Sequence, residues 1–121
     1  FGANLMATLY HNPRCSKSRQ GLELCNDSNV KVEVINYLKT NLSKSELEGI
    51  ISRLNGCVSG LIRNGDDTFK QSDFSTLDIT DASNVLTILL ELPQVMQRPL
   101  LDDGNRVIIG RPPEDFSEIL D

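Results

Sequence analysis

A strand, a helix and a second strand fit within the first third of this chain, and that spacing narrows the folds open to it. Leu5 to Tyr10 reads as a strand and Ser16 to Asp27 as a helix that turns Leu22 and Cys25 inward at i and i+3. Asn26-Asp27-Ser28-Asn29 is a turn, after which Val30, Val32 and Val34 alternate with Lys31 and Glu33 in the pattern of a strand with one buried face. Strands joined by a helix pair in parallel with a right-handed crossover, and open α/β sheets gather ligands at the carboxyl ends of such strands.

Cys15 stands at that end, inside His11-Asn12-Pro13-Arg14-Cys15-Ser16-Lys17-Ser18-Arg19. A helix N-terminus carries partial positive charge that favours thiolate over thiol and lowers a cysteine pKa from about 8.5 toward ~3.5–7.5. Arg14, Lys17 and Arg19 add charge in the same loop and first turn, so an anion can bind where one can form. The plainer alternative is a small buried hydrophobe, the common fate of single cysteines. Polar and basic neighbours, with Pro13 forcing a turn just before the thiol, favour the reactive alternative.

The 121 residues suit one domain spanning 1–121, and 39% hydrophobic with 24% charged residues is the balance of an ordinary globular protein. No apolar run is long enough for a membrane span, and the expected compartment is the cytoplasm. A net charge of −5 argues against sequence-independent nucleic-acid binding, so the basic cluster at Cys15 is local. Cys15, Cys25 and Cys57 form an odd set without metal-ligand spacing, and the chain has a single His; reduced thiols and no metal are expected.

The middle of the chain is helical. Ser43 and Glu46 form a capping box ahead of Leu47, Ile50, Ile51 and Leu54, with Gly56 closing the helix. Ser59 to Arg63 suggests a short helical turn, Asn64-Gly65-Asp66-Asp67 an exposed loop, and Asp81 to Leu92 a helix stopped by Pro93. Pro99 to Leu101 and Arg106 to Ile109 then flank an Asp-Gly turn within Asp102-Asp103-Gly104-Asn105, and a last helix after Arg111-Pro112-Pro113 carries Phe116, Ile119 and Leu120 inward.

Strand-helix-strand, then two strands and a helix, with a cysteine ending the first strand, is the thioredoxin-like order. The expected fold is therefore α/β, three-layered, with a mixed sheet and a helical insertion at about 43–92 between its βαβ and ββα halves. His11-Asn12-Pro13 with Cys15 and Ser18-Arg19 closely resembles the glutaredoxin-coupled arsenate reductase family. Tyr10, Tyr37-Leu38, Leu61-Ile62-Arg63, Gln97-Arg98-Pro99 and Gly110-Arg111-Pro112 extend the resemblance from Ala7 to Leu120.

The resemblance implies that Cys15 is the nucleophile and that Arg63, Arg98 and Arg111 hold the oxyanion, a task suited to a planar, permanently charged fork. It further implies a cis bond at Pro99 that brings Arg98 near Cys15. His11 either assists the thiol or merely caps the strand end, while Ser16, Ser18 and Arg19 organise the loop, with backbone N–H groups within reach of an anion. The implied reaction is attack of Cys15 on arsenate, reduction of the adduct by glutathione as co-substrate, and removal of the glutathione linkage by glutaredoxin, without a bound cofactor. Only one enzymic cysteine is required: Cys25 lies ten residues along the same helix, about 15 Å away and beyond disulfide reach, and Cys57 follows a glycine at a helix end.

Two other classes remain open. Redox-sensing transcription regulators of this fold bind RNA polymerase, but several carry a C-x-x-C pair where this chain has Ser18, and they tend to lack the full arginine set. A general glutathione-dependent thiol oxidoreductase with another substrate would use the same cradle.

Overall fold

β1 (Met6–His11) holds an inner position in a mixed sheet of order β2-β1-β3-β4 in the computed structural model, which describes residues 6–121. It runs parallel to β2 (Lys31–Asn36) and antiparallel to β3 (Leu100–Asp102), which pairs antiparallel with β4 (Val107–Ile109). Leu5, expected to begin the first strand, lies outside the described residues. α1 (Ser16–Asn26) is the crossover helix between β1 and β2.

Each face of the sheet has its own core. On one face Ala7, Leu9, Leu101 and Ile108 meet Cys25 of α1 and Phe116, which ends a 3-10 turn (Pro113–Phe116) leading into α5 (Ser117–Leu120). On the other, Tyr10, Leu100 and Val107 are covered by Leu47 and Ile50 of α2 (Lys44–Arg53) and by Val85, Ile88 and Leu89 of α4 (Ala82–Glu91). Helices on both faces of a mixed sheet make the expected three-layer, thioredoxin-like α/β fold. Among the described residues no helix is long and apolar enough to cross a membrane.

The sequence patterns form the elements they indicate, with instructive exceptions. The capping box is present, Glu46 N–H donating to Ser43 Oγ at 3.1 Å and Ser43 N–H to Glu46 Oε1 at 2.9 Å, an arrangement that stabilises a helix start by about 1 kcal/mol. Asp66, expected in a loop, instead accepts Thr68 N–H at 2.8 Å and caps the four-residue α3 (Asp67–Lys70), too short to show periodicity. Val30 precedes β2 and Val34 is 44% exposed, because β2 is an edge strand whose outer half the flanking helices leave uncovered. The hairpin turn begins one residue late: Asp102 pairs with Val107 in the ladder, and Gly104 supplies the positive φ of +91°.

Two tertiary ties position the later site. Arg53 at the end of α2 grips the buried carboxylate of Asp102, Nη2 to Oδ2 at 2.5 Å and Nε to Oδ1 at 3.2 Å, joining the helical insertion to β3. Burial and the nearby Asp102 charge push the Tyr10 phenol up to about 12. The second tie is at Pro99, whose ring lies against two glycines. A Cβ on Gly21 of α1 would fall 2.8 Å from the Phe116 ring and 3.0 Å from Pro99 Cγ, and one on Gly110 would fall 2.7 and 2.9 Å from Phe116 and 2.9 Å from Pro99. Gly110 N–H donates to the Pro99 carbonyl at 2.9 Å, so the two segments touch backbone to backbone.

Gly110→Ala is accordingly expected to destabilise the fold by about 1–3 kcal/mol through overpacking. Gly65→Ala, where a Cβ meets nothing within 4 Å, should stay near wild type. Denaturant midpoints compared for the two variants check this, and equal midpoints would contradict the close packing.

Candidate active site

Cys15 is the N-cap residue of α1, with extended backbone at φ −95° and ψ 124°. Its N–H donates to the Asn12 carbonyl at 3.0 Å and its carbonyl accepts Arg19 N–H at 3.0 Å, so the loop closes tightly onto the first helical turn. Partial burial opposes ionisation of the thiol, but the Ser18 N–H, the Arg98 guanidinium, the Lys17 N–H and the Arg111 charge outweigh it and hold the pKa below its ordinary value. The positive end of the helix and two arginines thus act on one sulfur.

Those arginines arrive from the far end of the chain. Arg111 donates from Nη2 to Cys15 Sγ at 3.4 Å and from Nε to the Arg98 carbonyl at 3.0 Å. Arg98 donates from Nη1 to the Gln94 carbonyl at 3.0 Å, while its Nε is buried without a partner among the described residues. The Arg98–Pro99 peptide is cis, as the resemblance implies, and Arg111–Pro112 is cis as well. Arg63 is carried beside Arg98 by a short antiparallel pairing: Arg63 N–H donates to the Val95 carbonyl at 2.8 Å and Gln97 N–H to the Leu61 carbonyl at 2.7 Å. Its guanidinium stands 3.9 Å from the Asp66 carboxylate. Arg111 and Arg98 thus act on the sulfur directly, whereas Arg63 is paired with Asp66.

His11 acts on the loop through Ser18, whose own N–H lies against the Cys15 thiol. Its Nδ1 is 2.7 Å from Ser18 Oγ, which also accepts Asn12 N–H at 3.0 Å, and both His11 and Ser18 are buried. Burial lowers the imidazole pKa and the Arg19 charge lowers it further, against the opposing effect of Ser18, so the ring stays neutral near pH 7. Its contribution is to brace the loop through Ser18. Arg19 donates from Nη1 to the Pro13 carbonyl at 2.9 Å and serves the same end.

Tyr37 is a site residue whose role the sequence left unspecified. It is 1% exposed and donates its hydroxyl to the Met96 carbonyl at 3.5 Å. Burial raises its pKa, the Arg98 charge and hydrogen-bonding reach lower it, and the Cys15 and Arg63 charges also act there. Only its place after the second strand, in Tyr37-Leu38, marked it in the sequence. Cys25, by contrast, is 2% exposed in the core, and burial pushes its thiol up to about 11. Cys57 is exposed and free, and Cys15 likewise forms no disulfide. Among the described residues no group of three His, Cys, Asp or Glu side chains is placed to hold a metal.

Known proteins share both the sequence and this frame. Residues 10–119 match the model of the ArsC family. An arsenate reductase of Haemophilus influenzae is 34% identical over 113 residues, covering 93% of this chain and 97% of that protein. The uncharacterised protein YfgD of Escherichia coli K12 is 32% identical over 93% of this chain and 94% of its own length. In three dimensions an arsenate reductase from Vibrio cholerae superimposes with a TM-score of 0.85 at 30% identity, covering 96% of this chain and 98% of that one. With a family match running from the end of β1 into the terminal helix, and relatives of its own length and fold, the chain belongs to the ArsC family.

Proposed function

We propose that this protein is an arsenate reductase in which Cys15 is the only reacting thiol of the chain and glutathione with glutaredoxin supplies the electrons. The observation that carries this reading is Arg111, which reaches the Cys15 sulfur and the Arg98 carbonyl at once. A thiolate held below its ordinary pKa stands beside two guanidinium groups, and an incoming tetrahedral oxyanion meets charge and fork geometry together. The buried, unpartnered Nε of Arg98 is a donor of that kind. That several relatives are arsenate reductases supports arsenate as the oxyanion.

Cys15 attacks arsenic, a sulfur–arsenic bond forms, and one arsenate oxygen leaves as water after taking up protons. Arg98 and Arg111 steady the charge on the remaining oxygens, with Arg63 completing the cradle from the adjacent segment. A second thiol then contributes its electron pair: arsenic leaves in the trivalent state, two electrons richer, and the two sulfurs are left joined as a disulfide. Glutaredoxin opens that linkage and restores the Cys15 thiolate. The second thiol comes from outside because Ser18 occupies the position of a C-x-x-C partner and Cys25 is sealed in the core. This use of free thiols suits the reducing cytoplasm.

Cys15→Ser should abolish arsenate reduction in a glutathione and glutaredoxin assay while leaving the thermal midpoint near wild type; retained turnover would remove Cys15 from the chemistry. No turnover of the wild type with any reductant, together with binding to the RNA polymerase α subunit, would favour the regulator class instead. Arg111→Lys keeps the charge and loses the fork, and kcat/KM for arsenate is expected to fall roughly 10- to 100-fold. An unchanged value would exclude Arg111 from the cradle.

His11 gives a prediction with a defined sign. Its pKa is lowered in the fold, so below about 6.5 the unfolded chain binds the proton more readily and stability falls as pH drops through that range. Between pH of about 7.5 and about 5.5, wild type should lose more stability than His11→Gln. Identical losses in denaturant titrations would show that His11 is not held neutral.

A further inference from the structure

We infer that the cleft between the Cys15 loop and the connection following β2 binds the carboxylate of the small thiol that reduces the Cys15 adduct, an assignment that rests on the glutathione-dependent reading above. The cleft has a volume of about 350 Å³ and is lined by Asn12, Pro13, Arg14, Asn36, Leu38 and Lys39. That volume lies within the ~300–1,000 Å³ of small-molecule sites.

The lining offers donors without competing side-chain acceptors. Asn12 Oδ1 is taken by Arg14 N–H at 3.0 Å, and Asn36 Oδ1 by Leu38 N–H at 3.2 Å. The Pro13 carbonyl is occupied by Arg19 Nη1 at 2.9 Å, the Asn12 carbonyl by Cys15 N–H at 3.0 Å, and the Asn36 carbonyl by the N–H groups of Lys39 and Thr40 at 3.0 and 2.9 Å. The side-chain groups left to a ligand are the Arg14 guanidinium, the Lys39 ammonium and the amide NH2 groups of the two asparagines. None of the six residues is acidic, in a chain that carries 17 Asp and Glu and a net charge of −5. Such a lining favours an anionic acceptor and repels a cation.

The cleft also adjoins the nucleophile along the chain. Arg14 is one peptide bond from the nucleophile, a Cα separation of about 3.8 Å. Leu38, 40% exposed, and Pro13 supply apolar surface for the stem between carboxylate and thiol. The cleft is separate from the arginine cradle, whose members come from the Leu61–Arg63, Arg98 and Arg111 segments and do not line it. A carboxylated thiol seated there leaves the arginine cradle free for the oxyanion.

The full chain carrying Cys15→Ser, titrated with S-methylglutathione by calorimetry, tests this without any need for turnover. Binding is expected, weakened about 3- to 10-fold when Arg14→Gln and Lys39→Gln are added together. No binding, or an unchanged Kd in the added variants, overturns the assignment, as does displacement by arsenate at equal concentration, which would make the cleft an oxyanion site. In the Cys15-containing protein the same two substitutions should lower kcat/KM for glutathione relative to that for 2-mercaptoethanol, which has no carboxylate. An equal loss with both thiols, or a loss with glutaredoxin alone, would overturn it. Absence of arsenate turnover would sink the reductase reading and leave the calorimetric result to stand by itself.

Discussion

The packing of Pro99 and Phe116 against Gly21 and Gly110 is the constraint on which the site depends. A Cβ at either glycine would press on the Phe116 and Pro99 rings, so α1 packs directly against those rings while the residue leading into β3 and the segment leaving β4 meet backbone to backbone. Gly110 N–H on the Pro99 carbonyl then sets Arg111 opposite Arg98. From there Arg111 spans the Arg98 carbonyl and the Cys15 sulfur, joining residues 96 positions apart. A core contact beneath the sheet thereby fixes the geometry of a charged site at its edge, consistent with interiors that transmit small displacements rather than absorb them.

The three cysteines show how far environment decides chemistry. Cys15 and Cys25 share one helix, yet the first sits at its N-terminus among N–H groups and guanidinium groups and is biased toward thiolate, while the second is enclosed by Leu101, Ile108 and Phe116 with its thiol at about 11. The same contrast separates the arginines. Arg53 is engaged by the buried Asp102 and serves structure, whereas Arg98 keeps a buried donor unpaired and Arg111 faces the sulfur. In a chain of net charge −5, the positive field at Cys15 is assembled locally, from a helix start and two residues delivered by the return strands.

Much of this was legible in the sequence because the signals were local. The βαβ unit, the Ser43 capping box, the Asp81–Leu92 helix and the Asp-Gly hairpin all rest on spacing within a few residues, and each forms within one or two positions of its indicated bounds. The clustering of Arg98 and Arg111 around Cys15 followed only from the family resemblance, since no local pattern reports a contact across the whole chain. What escaped was set by tertiary context. The sequence left two roles open for His11, and the loop folding back on its own helix gives it Ser18 as partner, while α3 is a single turn capped by Asp66 and anchored by the buried Phe69. Val34 is exposed because strand order, which alternation does not encode, puts β2 at the edge. Tyr37 joined the site because its burial brings the phenol against the arginines.

The central claim is that helix start and arginines together hold the Cys15 thiol below its ordinary pKa, against the opposing effect of partial burial. The direct measurement is the pH dependence of iodoacetamide alkylation at Cys15, followed by mass spectrometry of the intact protein and its peptides. The account predicts a half-point below the value of about 8.5 expected for a free thiol, moving upward when Arg111 is replaced by Met. A half-point at or above 8.5 in the wild type, or one indifferent to Arg111, would contradict it.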